Sequence, residues 1–297
     1  MAHIHFLTFG DGSRDLRGAA ERIGREASGT GIFKSIHTHN LSTLRDLYPD
    51  FWRTHGAFII KQRRGLGYWL WKPLLICDVL SKIRENDFLV YLDAGCEILP
   101  RTAADLIDLL PTEPQKHLTI LPIPRCAIVQ YTNSYCLARI DGGTRYASRL
   151  QIAANMLFIR NGAQCRSLTK EWLDLALADD YGYIRDRPDE KEHPEFIEHR
   201  HDQSIFSLLV YSFNEQGRIG LKVLEYNRPD WELGYEFDFP IRASRNRTSL
   251  SRVTRPAIYK RILRKSRAYI DQLGDTQSRY ESTLLVSRHD MPNAKKD

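Results

Sequence analysis

Asp87-Phe-Leu-Val-Tyr-Leu-Asp-Ala-Gly-Cys-Glu97 is the stretch around which the rest of the chain is arranged. Five consecutive apolar residues, Phe88 to Leu92, bounded by polar ones, predict a buried central strand of an α/β sheet. Such sheets bind ligands at the carboxyl ends of their strands. Asp93 stands at that end and is the first candidate functional residue. Glu97 follows four residues later, about 13 Å away if the chain stays extended. One divalent ion, with oxygen ligands at roughly 2.0–2.6 Å, cannot span that distance. Gly95 allows the chain to fold back. Two readings therefore stand: a metal and diphosphate corner, or a strand-end turn with solvated acids.

Upstream, Leu74 to Arg84 repeats Leu74, Cys77 and Leu80 on one face and predicts a helix, with Pro73 suited to its first position. Lys72 then sits where a cation opposes the helix dipole, a conflict that a bound phosphate would remove. The preceding Gly65-Leu-Gly-Tyr-Trp-Leu-Trp-Lys-Pro73 reads as a structured loop flanked by Arg63 and Arg64. Trp69 and Trp71 suit either stacking on a base or sugar, or the core. Further upstream, Ile4 to Phe9 predicts the first strand, Gly10 to Ser13 a turn, and Leu16 to Ala27 a helix. Phe33 to His37 is a short strand and Leu41 to Tyr48 a short helix. Strand, helix, strand implies a parallel pair joined by a right-handed crossover.

Downstream, Ala103 to Leu110 predicts a helix and Leu118 to Leu121 a strand. Pro122 to Arg149, rich in Tyr and Arg, reads as an irregular acceptor-side segment. Ile152 to Ile159 reads as one apolar strand with Asn155 in its middle. A buried amide needs partners, and structural groups or substrate hydroxyls would both serve. Cys165 to Leu177 predicts a helix, Asp179 to Arg200 a charged loop, Asp202 to Phe213 a helix, and Leu221 to Leu224 a last strand. The junction His199-Arg-His-Asp-Gln-Ser204 carries a carboxylate, an amide and two imidazoles. Asp202 is there either an N-cap or, with Gln203, a group that binds hydroxyls and stabilises positive charge.

The chain has 297 residues, 42% of them hydrophobic, enough for one real core. Five cysteines without a CxxC pair argue against a disulfide framework or structural zinc and for a reducing cytoplasm. No basic and then apolar leader opens the sequence, and no run of ~18 apolar residues is present. The formal charge is +6, with ten Lys or Arg and no acid between Arg242 and Arg267. That imbalance points to an anionic partner, a nucleotide diphosphate, a lipid surface or a nucleic acid, or else to a solvated helix face. Residues 1–240 read as one domain and 241–297 as a basic extension continuous with it or packed on it.

Taken together, Gly65 to Pro73, Val90-Tyr-Leu-Asp-Ala-Gly-Cys96 and His201-Asp-Gln-Ser204 resemble the GT-A glycosyltransferases of bacterial surface-polysaccharide clusters (O-antigen, lipopolysaccharide or capsule). The resemblance spans roughly residues 3 to 225. It implies a Rossmann-like mixed sheet flanked by helices and a nucleotide-sugar donor. It also implies a saccharide or lipid-linked glycan acceptor, and no nucleic-acid partner. It places Thr8, Gly10, Arg63, Lys72, Asp93, Ala94 and Gly95 at the donor, and Asn155 and His201 at the acceptor. Asp202 and Gln203, with Asp93, would be catalytic, as in retaining members with an Asp-Gln pair at a helix start. The family pattern has a carboxylate where this chain has Gly95. A divalent metal (Mn2+ or Mg2+) on Asp93 and Glu97 is thus one option, and cationic side chains alone the other. A polyanion- or membrane-surface-binding protein and a metal-dependent phosphohydrolase are the competing readings. The basic stretch would hold a cytoplasmic enzyme at the inner face of the cytoplasmic membrane.

Overall fold

The structure is a computed structural model that describes residues 2–99, 103–140, 143–224, 240–243 and 245. Its elements in chain order are β1 (Ile4–Phe9), α1 (Arg14–Thr30), β2 (Phe33–His39), α2 (Leu41–Leu47), α3 (Pro49–Lys61), α4 (Gly65–Tyr68), α5 (Trp71–Lys82), β3 (Phe88–Leu92) and β4 (Glu97–Ile98). Then follow α6 (Ala103–Asp108), β5 (Leu118–Ile120), β6 (Pro122–Ala127), α7 (Ile128–Tyr131), α8 (Ser134–Arg139) and a 3-10 turn at Thr144–Tyr146. The remainder are β7 (Leu150–Ile152), β8 (Met156–Arg160), α9 (Ala163–Tyr181), α10 (Asp202–Glu215), β9 (Leu221–Val223) and β10 (Ile241–Arg242).

Six strands form a mixed sheet in the order β2-β1-β3-β8-β5-β9. β1 is parallel to both β2 and β3, whereas β8 runs antiparallel to β3 and β5. The β3 run is buried at all five residues, as a strand covered on both faces must be. Alternation along β3 sends Leu89 and Tyr91 to one face and Val90 and Leu92 to the other. The first face packs against Leu75, Ile76 and Val79 of α5, Trp172 of α9 and Phe206 of α10. The second packs against Ile23 and Ala27 of α1 and Leu106 of α6. The result is the expected three-layer α/β arrangement.

From β1 the chain goes to β2 on one side, then returns past β1 to β3 on the other. The order reverses between β1 and β3, and a crevice opens at their carboxyl ends at such a point. Gly10 and Asp93 end those two strands. A Cβ on Gly10 would lie 2.4 Å from the Leu16 carbonyl and 3.2 Å from the Ala94 Cβ, so only glycine lets the two strand ends approach.

Several local expectations change. The helix after the glycine-rich loop starts at Trp71, placing Pro73 in its third position. α3 is a helix beyond those expected, opened by Pro49 and closed by Lys61, as helix ends favour. Pro122 to Arg149 is not irregular: it holds β6, which pairs with the following β7, and two short helices. The strand expected over Ile152 to Ile159 breaks at Ala153–Asn155, so Asn155 lies between β7 and β8. The described elements fall within one unit, Met1–Ser251. The expected boundary at residue 240 and the Arg242–Arg267 stretch lie largely outside the described residues. No helix among the described residues is long and apolar enough to cross a membrane.

Candidate active site

Asp93 leaves β3 into a turn closed by the Cys96 N–H donating to the Asp93 carbonyl at 2.9 Å. The Asp93 N–H donates to the Asn155 carbonyl at 2.9 Å, so the break between β7 and β8 lies against this turn. Its carboxylate, 30% exposed, accepts from the Tyr91 hydroxyl at 2.5 Å.

Lys72 reaches the same carboxylate. Its Nζ lies 3.4 Å from Asp93 Oδ1 and 2.7 Å from Asp202 Oδ2, and donates to the Ala154 carbonyl at 3.1 Å. Aromatic rings close the cage: Nζ is 5.3 Å from the Tyr91 ring centre and 5.9 Å from that of Trp69. One buried ammonium therefore joins β3, α5, α10 and the strand break. Burial disfavours its charge, but the Asp202 and Asp93 carboxylates outweigh that and its pKa is raised. Burial pushes Asp202 up to about 6, against the pull of Lys72.

Asp202 is not an N-cap. It is the first residue of α10, after His201 at φ 51°, ψ −117°. A carboxylate there is favoured by the helix dipole. Gln203 Oε1 accepts from the Ala154 N–H at 3.4 Å, and its amide nitrogen donates to Gln151 Oε1 at 3.4 Å. The break at Ala153–Asn155 thus hands its peptide groups to Lys72, Gln203 and Asp93. The half-buried Asn155 side chain makes no hydrogen bond among the described residues.

His199 and His201 belong to the interior. His199 donates from Nε2 to the Tyr183 carbonyl at 2.9 Å and accepts the Asn133 N–H at Nδ1. His201 donates from Nδ1 to the Ile184 carbonyl at 2.8 Å and stacks on Tyr68 with ring centres 4.3 Å apart. Burial drives both imidazoles down to about 3, so they are neutral. Their contacts tie the segment leading into Asp202 to Tyr183, Ile184 and Tyr68.

The glycine-rich stretch forms a left-handed turn: Gly65, Leu66, Gly67, Tyr68 and Trp69 all have positive φ. It brings Trp69 over Lys72, and Leu66 within 3.5 Å of the position a Cβ on Gly12 would take. Trp71 stacks on Phe9 at 3.9 Å, fixing α5 to the end of β1. Arg63 is exposed without a partner among the described residues, and Arg64 pairs with Glu198 at 3.0 Å. Thr8 is fully buried, its hydroxyl unpaired, and by alternation it shares the α1 face with Phe6 rather than the face of Lys72. The strand-end loop is held by Asp11, which accepts from the Gly12 and Leu41 N–H groups and from Arg17.

The sequence reading missed Arg22 and Glu26. Arg22 donates from Nη2 to the carbonyls of Ala94 at 2.8 Å and Cys96 at 2.9 Å. Both lie in the apolar phase of α1, alongside Ala19, Ile23 and Ala27. Charged residues within a buried stripe were the available signal.

The donor set does not fit a divalent metal among the described residues. The Asp93 carboxylate is engaged by an ammonium and a phenol, and position 95 has no side chain. Glu97 is fully buried on β4, opposite Arg242 of β10, and the Glu26 pKa is raised by burial with a smaller contribution from Glu97. No three His, Cys, Asp or Glu side chains among the described residues are grouped to hold a metal ion.

No family model matches this sequence, and no curated protein matches it. Among solved structures, a glycosyltransferase involved in glycosylation of the major capsid of PBCV-1 is similar at 12% identity, over 77% of this chain and 96% of that one, with a TM-score of 0.35. Mouse xyloside xylosyltransferase 1 in its apo form is similar at 12% identity, over 81% and 97%, with a TM-score of 0.39. The galactosyltransferase LgtC, in complex with donor and acceptor sugar analogs, is similar at 12% identity, over 84% of each chain, with a TM-score of 0.36. Likeness this distant assigns neither an activity nor a site residue to this chain.

Proposed function

We propose that this protein is a glycosyltransferase that moves a sugar from a nucleoside-diphosphate donor to a saccharide or lipid-linked glycan in surface-polysaccharide synthesis. The observation that carries the reading is the buried Lys72 joining Asp93 and Asp202 beside the β1–β3 crevice. Two carboxylates already balance the Lys72 charge. That favours contacts to sugar hydroxyls over capture of a diphosphate, for which Arg63, exposed and without a side-chain partner among the described residues, is the candidate. The donor lies in the crevice, with its sugar against Asp93, Lys72 and Asp202. As the glycosidic bond to the diphosphate breaks, positive charge develops on the ring. The Asp202 carboxylate and the Gln203 side-chain carbonyl, already oriented by the Ala154 N–H, favour that charge. A preorganised group of this kind contributes about 10²–10³ in rate. Attack of the acceptor hydroxyl from the side of Asn155, on the face the diphosphate leaves and with its proton passing to the departing diphosphate oxygen, would complete transfer with retention. No step requires a metal.

The test is a hydrolysis and transfer screen across UDP-, GDP- and dTDP-sugars, with Mn2+ and with EDTA. Turnover of at least one donor is expected, and retained in EDTA. Salt-sensitive binding to polyanions with no turnover of any nucleotide sugar would instead favour a surface-binding protein. Release of phosphate from simple phosphomonoesters would favour a phosphohydrolase. The cytoplasmic site at an anionic membrane is part of the same proposal. Co-sedimentation with vesicles containing anionic lipid, and not with neutral ones, supports it.

A further inference from the structure

The turn that presents Asp93 is built from behind by a buried ion pair on α1. Arg22 is 3% exposed. Its Nη2 donates to both carbonyls that flank Gly95, those of Ala94 and Cys96. Its Nη1 is bonded to Glu26 Oε1 at 2.8 Å, and Glu26 Oε2 accepts the Ile98 N–H at 2.8 Å. Two side chains one helical turn apart thus hold three backbone groups of residues 94–98. Small residues allow α1 to come this close: Ala19 and Ala20 pack on Ala94, and Gly10 leaves room for the turn. The front of the same turn carries Asp93, fixed by Tyr91 and Lys72.

We propose that Arg22 is a positioning residue for Asp93: the guanidinium, locked by Glu26, sets the shape of the Ala94–Cys96 turn where the familiar pattern would have a second carboxylate at position 95. The proposal rests on the glycosyltransferase reading above. Arg22 lies behind the turn, its guanidinium bonded to the Ala94 and Cys96 carbonyls and to Glu26. It acts through two carbonyls on Nη2 while Nη1 holds Glu26, a division between two rigidly coplanar nitrogens that the single nitrogen of an ammonium does not reproduce. A misplacement of about 1 Å at a reacting group costs up to about 100-fold in rate.

The experiment compares wild type, Arg22→Lys, Arg22→Met and Glu26→Gln. Donor kcat and KM are measured on the nucleotide sugar that wild type turns over, together with hydrogen exchange of peptides covering 88–98 and, as a folding control, α9 and α10. Arg22→Lys should lower kcat about 10- to 100-fold with KM changed less than about threefold. Faster exchange should be confined to residues 94–98. Glu26→Gln keeps an acceptor for the Ile98 N–H and should fall between wild type and Arg22→Lys. Unchanged kcat and exchange in Arg22→Lys would overturn the proposal. So would exchange rising equally in α9 and α10, which marks a merely structural residue. Should Arg22→Met fail to fold, Arg22→Lys and Glu26→Gln still decide. If wild type turns over no nucleotide sugar, the underlying reading fails, whereas exchange in residues 94–98 still reports whether Arg22 shapes the turn.

Discussion

Lys72 carries one charge against two carboxylates, and this decides what single substitutions should do. Lys72→Ala removes the bridge and leaves Asp93 and Asp202 facing each other without a counterion, a change costing roughly 3–5 kcal/mol for a buried pair. Both activity and stability should fall, measured by turnover and by urea unfolding. Asp93→Asn keeps a polar group but loses the ion pair, and turnover should drop about 100-fold. Asp202→Asn should leave donor affinity, measured calorimetrically, within a few-fold while kcat falls about 10²–10³. Wild-type turnover in Asp93→Asn would remove Asp93 from the site. Burial holds Asp202 at about 6 in the free protein. In the proposed reaction its carboxylate is the active form, so kcat/KM should decline as pH falls through that value, and this low-pH limb should be absent in Asp202→Asn.

At the scale of elements, the left-handed turn of α4 is the costly part of the fold. Leu66, Tyr68 and Trp69 each adopt a conformation that costs an L-residue roughly 1–2 kcal/mol. Packing offsets this: Trp71 Nε1 donates to the Gly65 carbonyl at 3.1 Å, and Tyr68 stacks on His201. Asp179, Asp180 and Tyr181 at the end of α9 form a second left-handed run, and Tyr181 stacks on Phe58 of α3 at 3.7 Å. Strain kept beside a binding site commonly preorganises it. A Cβ on Gly67, at φ 81°, would lie 2.9 Å from the Ile59 Cα. Gly67→Ala should therefore destabilise the protein by about 2–4 kcal/mol, read from urea unfolding, and reduce turnover by moving Trp69 from Lys72.

For the whole molecule, buried histidines set the acid limit. His199 and His201 are held down to about 3 and His39 to about 4, in each case chiefly by burial. A depressed histidine contributes stability that is complete above its unfolded pKa of about 6.5 and is lost as pH falls toward its folded value. Asp202 acts in the opposite sense. Its raised pKa favours the fold below the unfolded value near 3.8, and that contribution is lost as pH rises through about 6. Burial also raises Glu26, but it lowers His5, His37, His55 and His117 as well, so the histidines outweigh the two carboxylates and stability should fall between pH 6.5 and 4. A thermal midpoint lower by roughly 10 °C at pH 4.5 than at pH 7 is expected, and an unchanged midpoint would contradict neutral, buried imidazoles.

Periodicity and local chemistry determined the strands β1, β2, β3 and β5, the helices α1, α2, α5, α9 and α10, and the position of Asp93 at a strand end. Each is a local pattern of apolar spacing with its own start and stop signals. Those signals do not say which residues distant in sequence will meet. Tertiary structure alone brought Lys72, Asp93 and Asp202 onto one ammonium, and broke the β7–β8 run so that its peptide groups turn to the site. It also buried His199 and His201, and put Arg22 behind the Asp93 turn. Each depends on contacts between residues tens of positions apart, fixed by strand order and helix packing. Arg22 and the break at Asn155 were legible only as irregularities, a charge in an apolar stripe and an amide in an apolar strand. A charge or amide in an apolar run requires a buried partner, and only the folded chain supplies it.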